Sequence, residues 1–161
     1  MELLIKCTLI IFIKDDTNMD EYKTIENSYY TIRDIDYRKD RGQIFTPLYV
    51  ARLMTDWVLK AEAIQNNDEA KVIDPAVGLG AFFQTMVNRK NPFDDINIGK
   101  LKIYGYEKDY KLSRECKKLY QQYSNIVIQN KDYLLDWGNK LINISDSNRA
   151  KGFDGIICNP P

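Results

Sequence analysis

The sequence predicts an α/β protein in which a parallel sheet carries helices on both of its faces. Four short apolar runs alternate with helical stretches, which is typical of βαβ units. Right-handed crossovers between such strands place helices on both sides of the sheet. The chain has 44% hydrophobic and 29% charged residues, ordinary values for a globular protein.

Composition excludes several classes of function. Lys plus Arg number 23 and Asp plus Glu number 23, so the formal charge of zero argues against a nucleic-acid binder that acts alone. The absence of histidine excludes catalytic triads and imidazole metal sites. Cys7, Cys116 and Cys158 form neither a disulfide framework nor a zinc motif. We therefore expect no metal and a reducing, cytoplasmic location.

The first 41 residues are expected to lie outside the main domain. Residues 1–13 are apolar, but the run is far shorter than a membrane span and lacks the basic start and cleavage site of a signal peptide. We expect a strand or short helix there that packs on the body, with no membrane association. Residues 14–41 are rich in charge and predict a polar arm on the surface. The predicted domain then covers residues 42–161.

The elements of this domain follow from local signals. Thr46 is a good N-cap and Pro47 suits the first position of a helix. The apolar face predicted for that helix consists of Val50, Met54, Trp57, Val58, Ala61 and Ile64. Strands are predicted at 71–74, 101–106, 126–128 and 153–158, and further helices at 81–87, 111–123 and 133–141.

A turn with two glycines follows the first predicted strand. Gly78 and Gly80 would let the backbone approach a ligand closely, and the helix start behind them favours electron-rich groups. The dinucleotide fingerprint needs a third glycine where Phe83 stands, so an NAD site is a poor match. Asp74, at the strand end, could bind a cationic group. Taken alone, the pattern fits a simple tight turn equally well.

Polar residues also follow the other predicted strands. Glu107 stands where a carboxylate can accept hydrogen bonds from a ribose diol. Asp132 could accept from an exocyclic amine beside the Tyr133 ring, or it could serve as a helix N-cap. Asn159 and Pro160 offer two oxygen acceptors that could hold an amino group, or they simply terminate the strand.

Together these segments resemble a known family. Their order along the chain, over about residues 38–161, is similar to that of N6-adenine DNA methyltransferases. The segments are Gly-Gln-Ile-Phe-Thr-Pro, Asp-Pro-Ala-Val-Gly-Leu-Gly-Ala-Phe, Glu107, Asp132-Tyr133 and Asn-Pro-Pro. The order resembles the gamma arrangement of restriction–modification methylases. The resemblance implies a Rossmann-like fold that depends on S-adenosyl-L-methionine (SAM), with strand order 3-2-1-4. It also implies methyl transfer from SAM to N6 of adenine in DNA.

The resemblance implies roles for particular residues. Asp74, Gly78 and Gly80 would line the methionine end of SAM. Glu107 would hold the ribose, and Asp132 with Tyr133 would hold the adenine. The full set of implied cofactor-binding residues is Gln43, Phe45, Thr46, Pro47, Asp74, Pro75, Ala76, Gly78, Gly80, Phe82, Glu107, Lys108, Asp132 and Tyr133. The implied catalytic residues are Asn159, Pro160 and Pro161.

The sequence departs from the family pattern at two places. Val77 and Leu79 replace a Cys and a Ser of the glycine motif, which we expect to tune cofactor affinity rather than abolish it. The family follows Asn-Pro-Pro with an aromatic residue, whereas this sequence stops at Pro161. We therefore expect an incomplete, inactive fragment. DNA would be bound through a missing recognition domain or a separate specificity subunit, with a restriction nuclease as a partner or fused domain.

Other interpretations stay open at this point. An Asn-Pro-Pro methyltransferase could act on protein glutamine or on RNA, and the chain could be a non-catalytic SAM-binding subunit or relic. Cys158 suggests a cytosine-C5 nucleophile, but in those enzymes the cysteine follows a proline. We expect Cys158 to be a core packing residue instead.

Overall fold

Four parallel strands form a single sheet. The computed structural model describes residues 16–40, 42–89, 97–142 and 152–159. The strands are β1 (Lys71–Asp74), β2 (Lys102–Tyr106), β3 (Ile126–Gln129) and β4 (Gly155–Ile156), and their order in the sheet is β3-β2-β1-β4. In the register, Ile73 of β1 lies opposite Tyr104 of β2 and Ile156 of β4. The α/β fold and the strand order predicted from the sequence are confirmed.

Helices connect the strands and precede them. The helices are α1 (Asp16–Ile32), α2 (Ile35–Asp40), α3 (Leu48–Leu59), α4 (Glu62–Gln65), α5 (Ala81–Val87), α6 (Tyr110–Tyr120) and α7 (Tyr133–Ile142), with a 3₁₀ turn at Ile98–Lys100. In the part of the chain that the structure describes, no helix is both long enough and apolar enough to cross a bilayer.

The two faces of the sheet are covered by different helices. On one face a Cβ at Gly105 would lie 3.0 Å from the Phe83 ring of α5, so that helix packs very close to β2. On the other face the Tyr106 ring of β2 contacts the Tyr133 ring of α7, with 5.2 Å between centroids. Because successive strand residues point to opposite faces, neighbouring positions of β2 serve different helices.

The segment at 14–41 differs from the expected surface arm. Its described part is helical, and α1 packs against α6. Tyr22 is fully buried in the core, and Ile25 and Tyr29 pack against that core. These residues lie three and four positions apart and so form one apolar helix face between charged residues. Residues 1–13, where a strand or short helix was expected, lie outside the described residues.

The helix after Thr46 also differs in detail from the expectation. It begins at Leu48, and Pro47 rather than Thr46 occupies the N-cap position. The Pro47 carbonyl accepts hydrogen bonds from the N–H groups of Val50 and Ala51. The buried face consists of Ala51, Thr55 and Leu59, whereas Trp57 is 82% exposed. The buried face is therefore shifted from the predicted one. Met54 and Val58 still pack against the core at its edge, whereas Ala61 and Ile64 lie beyond the end of the helix.

The last strand is shorter than the predicted run. Only Gly155 and Ile156 pair with β1, although Ile157 still donates a backbone hydrogen bond to Ile73 and is buried. Strand β4 thus brings Cys158 and Asn159 to the same edge of the sheet as the end of β1.

Candidate functional site

A cavity of about 300 Å³ opens at the carboxyl ends of the strands. Its lining includes Asp74 after β1, Glu107 after β2, Asp132 after β3 and Asn159 after β4. The strand order reverses between β1 and β4, and ligands of open α/β sheets bind at such a switch point. The topology therefore joins residues that lie far apart in sequence.

The glycine turn forms one wall of this cavity. Gly78 has φ +55°, a left-handed conformation that costs glycine least, and a Cβ there would lie 3.4 Å from the Phe45 ring. The turn is anchored to the sheet because the Val77 N–H donates to the Tyr106 carbonyl at 2.9 Å. Backbone and an aromatic ring thus form this wall, and the positive φ rather than a clash is what favours glycine at position 78.

Gly80 packs against α6 at the start of α5. It has φ +85°, and a Cβ on it would lie 2.6 Å from the Tyr120 ring. The Tyr120 hydroxyl donates to the Gly80 carbonyl at 2.8 Å. Gly80 does not line the cavity, so its small size serves the packing of α6 against the start of α5.

Glu107 ties β2 to the glycine turn. One carboxylate oxygen accepts from the Gly78 N–H at 3.0 Å, and the other accepts from the Asp109 N–H at 2.8 Å. Each oxygen keeps a second lone pair for a ligand hydroxyl. Burial raises the pKa of Glu107, and the two backbone donors oppose that shift. The residue has the acceptors that a diol requires.

Asp74 is the most deeply buried carboxyl of the cavity wall. It is 1% exposed and accepts a hydrogen bond from the Ala76 N–H at 3.0 Å. Burial, with a smaller contribution from the charge of Glu107, raises the pKa of Asp74 to about 7. A buried carboxylate without a cationic partner is costly, so a cationic ligand group would be stabilised here.

Helix α1 and the segment after it close the cavity from another side. The Phe45 ring lies between Tyr29 and Tyr30, with centroids 5.2 and 5.4 Å away. Gln43 is 9% exposed, and its side-chain oxygen accepts from the Tyr29 hydroxyl while its amide donates to Asp109 at 3.1 Å. Sequence analysis missed these tyrosines, although their spacing on an apolar helix face was a usable signal.

Asp132 has the capping role that the sequence allowed, and it also reaches the cavity. It accepts from the Leu135 N–H at 3.2 Å, as a capping residue at the start of α7 does, and it also lines the cavity. Tyr133 next to it is held by the Tyr106 ring. The exposed side chain of Leu134 adds an apolar surface at the mouth.

The end of β4 supplies the remaining wall. Asn159 is exposed and lines the cavity, and Cys158 lines it too. The prediction that Cys158 is a core packing residue is therefore wrong, because its neighbour Ile157 takes the buried position. Burial, and secondarily Asp74, raises the pKa of the Cys158 thiol.

Most of the predicted binding residues meet at this cavity. Those that line it are Gln43, Phe45, Thr46, Asp74, Pro75, Ala76, Gly78, Phe82, Glu107, Lys108, Asp132, Tyr133 and Asn159. Pro47 and Gly80 are not part of the lining. Pro160 and Pro161 lie outside the described residues. No ligand contact tests the individual roles, which stay predictions.

The fold and the site define a Rossmann-like α/β protein with a ligand crevice at the switch point of its sheet. The N-6 DNA Methylase family model matches residues 22–161, and the chain belongs to this family. The Type II methyltransferase M.AccI of Acinetobacter calcoaceticus is similar, with 29% identity over 139 residues. That match covers 86% of this chain and 21% of M.AccI, so the chain spans about a fifth of that relative's length.

Proposed function

We propose that this chain is the cofactor-binding part of a DNA methyltransferase that uses SAM to methylate N6 of adenine in a restriction–modification system. The convergence of Asp74, Glu107, Asp132 and Asn159 on one cavity carries the proposal, because family residues from four strand ends meet there. Family membership and the similarity to M.AccI favour DNA over protein glutamine or RNA as the substrate.

The donor set of the cavity suits SAM. The buried Asp74 offers a negative charge to a cationic group, and Glu107 offers acceptors to a diol. Asp132 and Tyr133 offer an acceptor and a ring to a purine. When bound, SAM supplies a methyl group activated by a positively charged sulfur.

The chain's own contribution to transfer is to hold and orient. Asn159 lines the same cavity as Asp74, so an amino group held by its side-chain oxygen would lie beside the cofactor. Accepting a hydrogen bond from that amino group leaves more electron density on nitrogen for attack. A target base reaches such a pocket only after it leaves the helix stack, and positioning then lowers the barrier.

DNA recognition is assigned to other parts of the protein. The formal charge of this chain is zero, which provides no electrostatic footprint for a duplex. We infer that a recognition domain or a specificity subunit binds DNA, and that a restriction nuclease is a partner or fused domain. On this basis the 161 residues alone do not methylate DNA.

Calorimetric titration with S-adenosylhomocysteine, the demethylated product, tests cofactor binding directly. Glu107→Gln should raise Kd about 10- to 100-fold, because hydrogen bonds to a charged acceptor are lost. Glu69→Gln is the matched control, since Glu69 only pairs with Lys102 on the surface at 3.5 Å. A folded wild-type chain that gives no heat at millimolar ligand would refute the proposal.

Methyl incorporation into DNA tests the reaction. The complete protein should transfer tritiated methyl groups to adenine-containing DNA, and Asn159→Ala should abolish transfer while cofactor affinity stays nearly unchanged. Activity of the complete protein with Asn159→Ala, or turnover by the 161 residues alone, would contradict the assignment.

A further inference from the structure

A series of hydrogen bonds links α1 to Glu107 and the glycine turn of the cavity. The Tyr29 hydroxyl donates to Gln43, and the Gln43 amide donates to Asp109 Oδ2 at 3.1 Å. The Asp109 N–H donates to Glu107 Oε1 at 2.8 Å, and Glu107 Oε2 accepts from the Gly78 N–H at 3.0 Å. One continuous path thus joins a residue of α1 to the glycine turn.

Asp109 holds a fixed place in this path. Its Oδ1 accepts from the N–H groups of Lys111 and Leu112 at 2.8 and 3.0 Å, which caps α6. Its Oδ2 is therefore presented to Gln43 in one orientation. Gln43 in turn uses its oxygen on α1 and its nitrogen on α6. The side chain bridges two helices across the cavity wall.

The same segment places Phe45 against the turn. The Phe45 ring would meet a Cβ at Gly78 and is flanked by Tyr29 and Tyr30. Gln43 and Phe45 lie two residues apart, so fixing one side chain restricts where the other can lie. Phe45 and Gln43, two residues of the cavity wall, thus both contact α1.

We propose that Tyr29 and Gln43 are positioning residues, which set Glu107 and Phe45 for cofactor binding so that α1 determines the affinity of the cavity. The inference rests on the proposed function. It assigns the side-chain oxygen of Gln43 to Tyr29 and the nitrogen to Asp109, and the variants below distinguish this role from direct contact with the ligand.

Exchanging the charges of Gln43 and Asp109 distinguishes a positioning role of Gln43 from direct contact with the ligand. Gln43→Glu would set a second carboxylate against Asp109, and we expect Kd for S-adenosylhomocysteine to rise about tenfold through repulsion and the lost donor. Asp109→Asn should change Kd by less than about threefold, because the Gln43 amide can rotate and asparagine still caps α6. In the double variant Gln43→Glu, Asp109→Asn, the asparagine amide donates to the glutamate carboxylate. Its Kd should therefore return to within about threefold of wild type.

Controls distinguish positioning from general stability. Asn125→Ala removes two hydrogen bonds, at 2.9 and 3.0 Å, from Asn125 to the carbonyls of Ile98 and Leu101. This variant should lower Tm and leave Kd unchanged. Tyr29→Phe keeps the ring on Phe45 and should still raise Kd about fivefold, whereas Tyr49→Phe, at a 73% exposed position, should not.

Each outcome decides the inference. If the double variant binds as weakly as Gln43→Glu alone, Gln43 contacts the ligand directly and the proposal is wrong. If Gln43→Glu does not fold, Tyr29→Phe decides, and an unchanged Kd overturns the inference. Wild type that binds no ligand instead refutes the proposed function, so the two failures are separable.

Discussion

Asp74 shows how a single buried group can link ligand binding to pH. Among the residues that the structure describes, the ionisable groups coupled to it are Glu107, Cys116 and Cys158, and none of these three is cationic. Its pKa of about 7 therefore reflects burial without a compensating positive charge. A ligand that brings a cation would supply a positive charge at this position.

We predict that ligand affinity rises with pH through the titration of Asp74. Below its pKa of about 7 the carboxyl must release a proton before it can pair with a cation, so Kd should fall by up to about tenfold per unit between pH 5.5 and 7. Titration calorimetry with S-adenosylhomocysteine at several pH values measures this. The same series with Asp74→Asn should lose this dependence, and a pH-independent wild type would contradict the expectation.

The same group should make the ligand-free chain less stable as the pH rises from about 4 to about 7. The folded pKa of Asp74 lies above the unfolded value near 3.9, so its contribution to stability is full below about pH 4 and declines as the pH rises to about 7. Asp74→Asn keeps the acceptor for Ala76 and removes the buried charge. We expect a higher Tm at pH 8 together with weaker ligand binding. A lower Tm at pH 8, measured by circular dichroism, would show that Asp74 stabilises the fold.

At the scale of the elements, a side chain would affect stability in opposite ways at a glycine before α5 and at a glycine within α7. Gly80 at the start of α5 has φ +85° and touches Tyr120, whereas Gly138 within α7 has nothing within 4 Å of a Cβ and a helical backbone. Glycine inside a helix is less favourable than alanine because it loses more backbone entropy. One glycine is thus required and the other is replaceable.

We predict opposite effects for the two alanine substitutions. Gly80→Ala should destabilise the chain by about 3 kcal/mol or more, from the left-handed backbone and the clash with Tyr120. Gly138→Ala should stabilise it by about 0.5–1 kcal/mol, or about 1–4 °C in Tm. Urea unfolding with both variants side by side checks the sign, and a tolerated Gly80→Ala would show that Tyr120 moves away at little cost.

Helix α1 is the element whose role changed most between sequence and structure. Its polar composition predicted a surface arm, yet it contributes Tyr22 to the core and packs Tyr29 and Tyr30 against Phe45 of the cavity wall. The family match begins at residue 22, inside this helix. A chain that lacks α1 would lose one side of the ligand cavity.

At the scale of the whole molecule, charge balance governs the interaction with DNA. Phosphate neutralisation by Lys and Arg supplies most non-specific affinity, and here 23 basic residues are offset by 23 acidic ones. The 161 residues should therefore bind duplex DNA no better than a typical neutral protein. Fluorescence anisotropy at low salt measures this, with the complete protein as the positive control. A discrete, sequence-dependent complex with the 161 residues would place recognition within them.

Several features were predictable from the sequence because they are local. The apolar run at β1 and the glycine turn are specified within about ten residues, and their positions agree with the structure. Parallel strands connected by right-handed crossovers bring their carboxyl ends to one edge, so Glu107 and Asp132 could be expected to meet there. Family resemblance added the strand order, which the structure confirms.

The rest was decided by contacts between distant residues. Gln43 reaches Asp109 across 66 positions, and Tyr120 reaches Gly80 across 40, so neither bridge leaves a local pattern. The same holds for Cys158, which lies in the cavity wall because Ile157 takes the core position. The sequence by itself determined which residues end the strands and hence the kind of site. Only tertiary packing decided which side chains face the ligand and which hold the others in place, because burial depends on partners that periodicity does not identify.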